Sequence, residues 1–162
     1  MQNTVFFTIL PPLKKQLKRP MYVKEITNPS EQDIQSLKKL LQTLSSNCTF
    51  SDEKLKQLIQ AEESHLYGLY DEESQTLAGC CCLGIYYSIT GKKACLEDVT
   101  VLPEFQGKGG GRMLVAHATE EARKLQAEQM MFTSKPTRIQ ANKLYQKMGF
   151  PQKETNVYLK KW

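Results

Sequence analysis

The sequence predicts an α/β or α+β domain, a mixed sheet with helices packed on its faces. Three observations carry that reading. Apolar residues recur at helical spacing in the stretch 31–60, then switch to the period-two patterning of strands from His65 onward. Three strand-like segments follow one another with only short polar turns between them, which makes a meander. Finally, a turn with four glycines stands between an apolar segment and a helical one in "VLPEFQGKGGGRML" at 101–114.

Taken in order, "MYVKEI" at 21–26 alternates as a first strand. The turn "NPSEQDI" offers Ser30 as a helix cap with Asp33 three residues on. Ile34, Leu37, Leu41 and Leu44 then share one helical face, and Ser51 or Asp52 opens a second helix with Leu55, Leu58 and Ile59 inward. "HLYGLYD" and "TLAGCCCLGIYYS" flank the polar turn "DEESQ" as antiparallel strands, and "KACLEDVTVL" follows a turn marked by Gly91. "RMLVAHATEEARKL" places Leu114, Ala118, Ala122 and Leu125 on one face and reads as a helix that starts at the glycine turn. "MMFTS" reads as a strand, "TRIQANKLYQKM" as a helix stopped by Gly149, and "NVYLKKW" as a closing strand. The predicted order is β-α-α-β-β-β-α-β-α-β.

The chain has 162 residues, enough for one core, and residues 1–20 read as a basic arm ahead of one domain at 21–162. No apolar run approaches the roughly 20 residues that cross a bilayer, so no membrane partner is expected. In the arm, Lys14, Lys15, Lys18 and Arg19 follow the apolar run instead of preceding it, which is the wrong order for a signal peptide. A net charge of +5 suits an anionic ligand, and no zinc finger, RNP-type aromatic motif or basic heptad accompanies it, so nucleic acid is not implied. Five cysteines, an odd number with three adjacent, show no metal-ligand spacing and suit a reducing cytoplasm. No metal site is expected.

A turn that ends a strand and opens a helix gathers free backbone N–H groups and the positive end of the helix dipole, a fit for phosphate. Gly107, Gly109, Gly110 and Gly111 let ligand oxygens approach the backbone, and Lys108 and Arg112 add fixed charge. The P-loop pattern fails, because no Ser or Thr follows a Gly-Lys pair. The dinucleotide fingerprint fails as well, because Arg112 stands where its third glycine belongs.

The remaining pattern, Q-x-x-G-x-G at Gln106, Gly109 and Gly111, follows a strand ending in "DVTVLPEF" and resembles the pyrophosphate-binding motif of the GNAT N-acetyltransferase superfamily. "ANKLYQKMGF" at 141–150 resembles that family's later Asn-x-x-Tyr-x-x-x-Gly-Phe segment, and the resemblance spans roughly residues 21–162. It implies a mixed, mostly antiparallel sheet flanked by helices, acetyl-coenzyme A as co-substrate, and direct acetyl transfer to a primary amine of a small molecule or peptide. The pantetheine arm would pair with backbone at Val99, Thr100 and Val101. The pyrophosphate would lie over Gln106, Gly107, Lys108, Gly109, Gly110, Gly111 and Arg112. Asn142 and Tyr145 would contact the sulfur end, with Tyr145 protonating the departing thiolate.

Acetyl transfer to an amine needs a base for the ammonium and a donor for the oxyanion. The Val99 N–H is the candidate donor. Glu97 and Asp98 are the candidate bases, directly or through a water, and Glu97 is the favoured one, because regular alternation places it on the side of Val99 and Val101 and lets only one of the pair reach the substrate. Family relatives that acetylate sugar-phosphate amines carry a Glu-Asp pair here. The histone-acetylating branch has its catalytic Glu two positions earlier, where this chain has Cys95. His65 and His117 read as packing or surface residues. Tyr86, Tyr87 and Phe50 are candidates to line an acceptor pocket. Two other readings stay open at this point, a non-catalytic acyl-coenzyme A sensor and a basic interaction module acting through residues 1–20. A homo-oligomer is compatible with all three.

Overall fold

In the computed structural model, residues 20–162 are described, so the basic cluster of the arm lies outside the described residues. Five strands, β1 Met21–Glu25, β2 Ser64–Asp71, β3 Leu77–Ser88, β4 Gly91–Val101 and β5 Gln129–Met131, form one sheet in the order β1-β2-β3-β4-β5. The first four are antiparallel neighbours, and β5 joins β4 in parallel over Lys93–Cys95 alone. Four helices complete the fold: α1 Glu31–Leu44, α2 Asp52–Gln60, α3 Gly110–Lys124 and α4 Ile139–Lys147.

The helix starts follow the capping chemistry read from the sequence. Ser30 Oγ accepts from the Asp33 N–H at 3.1 Å and Asp33 Oδ2 accepts from the Ser30 N–H at 2.9 Å, a reciprocal box that satisfies donors the helix leaves free. Ser51 Oγ accepts from the Lys54 N–H and starts α2 in the same way. Each such cap stabilises a helix by about 1 kcal/mol.

Alternation along β2 sorts the helices onto opposite faces of the sheet. Tyr70 donates from its hydroxyl to Asp33 Oδ1 at 2.9 Å, on the face covered by α1. On the other face, Leu69 meets the start of α3 so closely that a Cβ on Gly110 would come within 2.5 Å of Leu69 Cδ2, and Tyr67 packs edge-on against His117 of α3. Leu114, Val115 and Ala118 of α3 and Leu69 and Leu83 of the sheet are wholly buried between them. Leu40 closes the α1 side, also wholly buried. The cysteine triplet divides as the pleat requires: Cys81 Sγ points to Leu114 O at 4.0 Å, while Cys80 and Cys82 face the cavity under α1 and α2. All five cysteines are free thiols.

The closing strand expected at 156–162 does not form. Val157, Tyr158, Leu159 and Trp162 are 70–101% exposed and, among the described residues, pair with no strand. A strand needs a neighbour with free backbone groups. β5, the edge strand beside β4, is only three residues long, since the chain departs from the sheet at Phe132 where "MMFTS" predicted a strand through Ser134.

Candidate functional site

The site grows from an irregularity in β4. Cys82 stands opposite Glu97 and Cys80 opposite Thr100, so Asp98 and Val99 together face the single residue Cys81. This is a β-bulge, and Asp98 takes the left-handed conformation with φ of 54°. Asp is one of the few side chains that adopt this region readily. The bulge breaks period-two alternation between residues 97 and 100, so Glu97 and Asp98 do not follow the opposite-face placement that a regular pleat predicts. Glu97 and Asp98 both line the same cleft of about 250 Å³, together with Val99, Ser134, Arg138 and Tyr145.

The cleft exists because the sheet opens there. Beyond Cys95, β5 no longer pairs with β4, and Phe132–Lys135 diverge to form the opposite wall. Among the described residues, no strand pairs with the β4 edge over Glu97–Val101 on that side. Val99, Thr100 and Val101 therefore stand along an open edge, where an extended ligand can add as a strand does. Thr100 itself is buried.

The glycine turn follows directly. Gln106 Nε2 donates to Val101 O at 2.8 Å and fastens the turn to the end of β4. Gly107 and Gly109 have φ of 73° and 90°, and a Cβ built on either would meet nothing within 4 Å. The concavity is thus open space in front of backbone N–H groups at the start of α3, with Gly109 as its N-cap. That is the form an anion cradle takes. Lys108 turns its ammonium back to Glu104 O at 2.6 Å and over the Phe105 ring, whereas Arg112 stays exposed. A Cβ on Gly111 would meet Leu144 Cδ2 at 3.6 Å, so α4 lies beside the turn.

α4 reaches from this turn to the end of α1, where an Arg138 guanidinium N–H donates to Leu44 O at 2.9 Å. Asn142 donates from Nδ2 to Lys135 O at 3.0 Å and holds the 133–138 connection; it does not line the cleft. Tyr145 does line it, with its ring edge-on to Phe132 at 4.5 Å between centroids. Phe50 lines a second cavity that meets the first at Asp98 and Cys48, while Tyr86 and Tyr87 lie on the β3–β4 hairpin and line neither. His65 pairs with Glu25 at 2.8 Å, remote from the cleft.

Burial raises the Asp98 carboxyl above the usual carboxylate range, and the neighbouring charge of Glu97 pushes the same way while Arg138 opposes both. The Tyr145 phenol is likewise raised by burial, with Arg138 opposing. Cys95 Sγ donates to Glu97 Oε1 at 3.1 Å, and burial with that hydrogen bond pushes the thiol up to about 11. Such a thiol is protonated at neutral pH and is not an activated nucleophile.

Two cleft residues escaped sequence reasoning. Ser134 Oγ is buried without a hydrogen-bond partner among the described residues, and Arg138 faces both Asp98 and Tyr145. An unmatched hydroxyl has no periodicity to give it away. Arg138 lies in the segment "TRIQANKLYQKM", whose helical pattern does not single it out. Among the described residues no cluster of His, Cys, Asp and Glu could hold a metal ion, and no helix is long and apolar enough to cross a membrane.

Comparison with known proteins places these features. No curated protein matches the sequence closely enough to stand as a relative. Among solved structures, a Trypanosoma brucei acetyltransferase is similar at TM-score 0.69 and 20% identity, over 87% of this chain and 99% of its own. Glucosamine-6-phosphate N-acetyltransferase from Arabidopsis thaliana is similar at 0.67 and 16%, over 88% and 98%. A Bacillus halodurans transcriptional regulator is similar at 0.75 and 17%, over 87% and 99%. At these identities the likeness is one of fold. The sequence itself matches the acetyltransferase (GNAT) family over residues 34–150, and the chain belongs to that family.

Proposed function

We propose that the protein is an acetyl-coenzyme A dependent N-acetyltransferase that acts on a primary amine by direct transfer, with Asp98 and Glu97 as the acidic pair of its active site. The observation that carries this reading is the bulge at Asp98, which turns two carboxylates into one cleft beside Tyr145 and an open sheet edge. Among structural neighbours, the aminoglycoside N-acetyltransferase AAC(6')-Iy has been solved with coenzyme A, which supports the choice of cofactor.

The residues present fit that cofactor. The open concavity before Gly107 and Gly109 suits a pyrophosphate, with Gly110, Gly111 and Arg112 at the helix start and Lys108 nearby. The free edge at Val99, Thr100 and Val101 suits an extended arm with amide groups, and the unmatched Ser134 hydroxyl offers it a further hydrogen bond. Bound there, acetyl-coenzyme A supplies a thioester whose sulfur leaves as a thiolate.

The chain's own groups do the rest. An ammonium has no lone pair, so the acceptor first gives a proton to a carboxylate, directly or through a water. Asp98 is the better placed of the two acids, because its raised proton affinity brings it closer to neutral pH and it stands where the two cavities meet. Glu97 adds negative charge that holds a cationic acceptor. The Val99 N–H, which lies in the bulge beside the thioester's expected place, is the candidate oxyanion donor. The raised Tyr145 phenol keeps its proton at neutral pH and can deliver it to the leaving sulfur. Cys95, protonated and bonded to Glu97, supports direct transfer over an acyl-cysteine route. The cytoplasm, where coenzyme A is met and thiols stay reduced, suits five unpaired cysteines.

The test is thiol release from acetyl-coenzyme A by the full chain with a panel of amines, alongside thermal unfolding with and without the coenzyme. Amine-dependent release with a raised midpoint supports the reading. A raised midpoint without release for any amine makes the protein an acyl-coenzyme A binding domain, and no rise removes the cradle.

A further inference from the structure

The second cavity, of about 400 Å³, lies beneath α1 and α2 and opens toward the catalytic cleft at Cys48 and Asp98. Its walls are chiefly Leu37, Leu41, Phe50, Leu55, Leu58 and Leu66. Polar side chains are confined to Asn47, Thr49 and Ser51 in the α1–α2 connection, with Lys54 just beyond and Asp98 at the junction.

α2 explains why the space is there. It is an amphipathic helix with Leu55, Leu58 and Ile59 inward, yet none of its residues is fully buried. The apolar face stands over a groove of about 400 Å³ that opens to solvent, and that volume falls in the range of roughly 300–1,000 Å³ usual for small-molecule pockets.

We infer that the acceptor is a small primary amine carried on an apolar body, of the arylalkylamine or alkylamine class, seated under α2 with its amino group at Asp98. This inference rests on the acetyltransferase reading and deepens it. Asp98, which lines both spaces, sets the orientation: among the described residues it is the one carboxylate lining this groove, so an ammonium is drawn to that end and the apolar body is left among the leucines. An amino sugar would leave most of its hydroxyls against those leucines, unpaired, and a buried polar group without a partner is strongly disfavoured. A polycation would find a single acid in this cavity and Lys54 opposing it.

The experiment uses the full chain with 2-phenylethylamine and glucosamine as probes. Turnover is followed as thiol release, and binding of 2-phenylethylamine is followed separately by calorimetry without coenzyme. Two variants alter the chamber away from the catalytic groups: Leu55→Asp puts a charge into it, and Leu58→Trp fills it. The expected result is a kcat/KM at least about tenfold higher for 2-phenylethylamine than for glucosamine, as apolar pockets discriminate by about 10–200-fold. Both variants should lose about tenfold or more in 2-phenylethylamine binding while the coenzyme-induced rise in unfolding midpoint is kept. Equal or better turnover of glucosamine, or binding of 2-phenylethylamine indifferent to both variants, overturns the inference and leaves the acetyltransferase reading standing. Absence of thiol release with any amine overturns both.

Discussion

The Cys95 thiol donates to Glu97 Oε1 across 3.1 Å, and this contact sets the character of both side chains. Together with burial, the larger cause, it raises the thiol's proton affinity, and it ties the Glu97 carboxylate to the strand two residues before it. If transfer is direct, Cys95→Ala should retain turnover within about fivefold, because only a hydrogen bond of about 1 kcal/mol is removed. Steady-state thiol release checks this, and a loss of more than about a hundredfold would point to a covalent route.

The acidic pair makes a prediction about pH. A base works unprotonated, so activity should rise with pH through the proton affinity of Asp98, with its acid limb displaced above the usual carboxylate range. The Glu97 charge contributes to that displacement, so Glu97→Gln should move the limb to lower pH; Arg138→Gln should move it higher. Asp98→Asn should abolish the limb and lower kcat by about 10²–10⁴-fold. A limb unmoved in both neighbouring variants would assign the titration elsewhere.

The same shift has a stability counterpart. The folded state binds the Asp98 proton more tightly than the unfolded chain does, so between the two proton affinities it holds more protons and loses stability as pH rises. Asn tolerates a φ of 54° and cannot ionise. Asp98→Asn should therefore unfold at a higher temperature than the parent at neutral pH, with the difference vanishing at a pH below the ordinary range of Asp. Thermal melts at the two pH values decide it.

These predictions rest on features of unequal visibility in the sequence. Helices α1 to α4 and strands β1 to β4 follow from periodicity and caps such as Ser30 with Asp33, because those signals are local. The failed strand at 156–162 has the right alternation, but pairing depends on what the neighbouring edge offers, and β5 stops at Met131. The glycine turn was legible because the positive φ of Gly107 and Gly109 leaves few residue choices. The bulge at Asp98 was not, since alternation presumes a regular pleat. Ser134 and Arg138 enter the cleft only through tertiary packing of α4 against the end of α1.

Ser134 separates ligand binding from folding. Its hydroxyl is buried with no partner among the described residues, so Ser134→Ala removes an unmatched group and should leave the ligand-free protein as stable or up to about 1 kcal/mol more so. The rise in unfolding temperature with acetyl-coenzyme A should shrink in the same variant. A Ser134→Ala protein that is less stable without ligand would mean the hydroxyl already has a partner.

Gly109 tests the cradle. A Cβ there meets no protein atom, so any loss of affinity reflects the ligand's space and the strain of a side chain at φ of 90°. Gly107→Ala, strained at φ of 73° and equally open, provides a second probe of the same concavity. Ligand at a hundred times its dissociation constant adds about 2.7 kcal/mol to the parent's stability, or roughly 5–10 °C for a domain of this size. Gly109→Val should abolish most of that rise while the ligand-free midpoint falls only by the cost of the strained backbone, about 1–3 kcal/mol. Comparing each variant with and without coenzyme cancels the strain and leaves the affinity. A full rise in Gly109→Val would mean that the phosphates lie elsewhere.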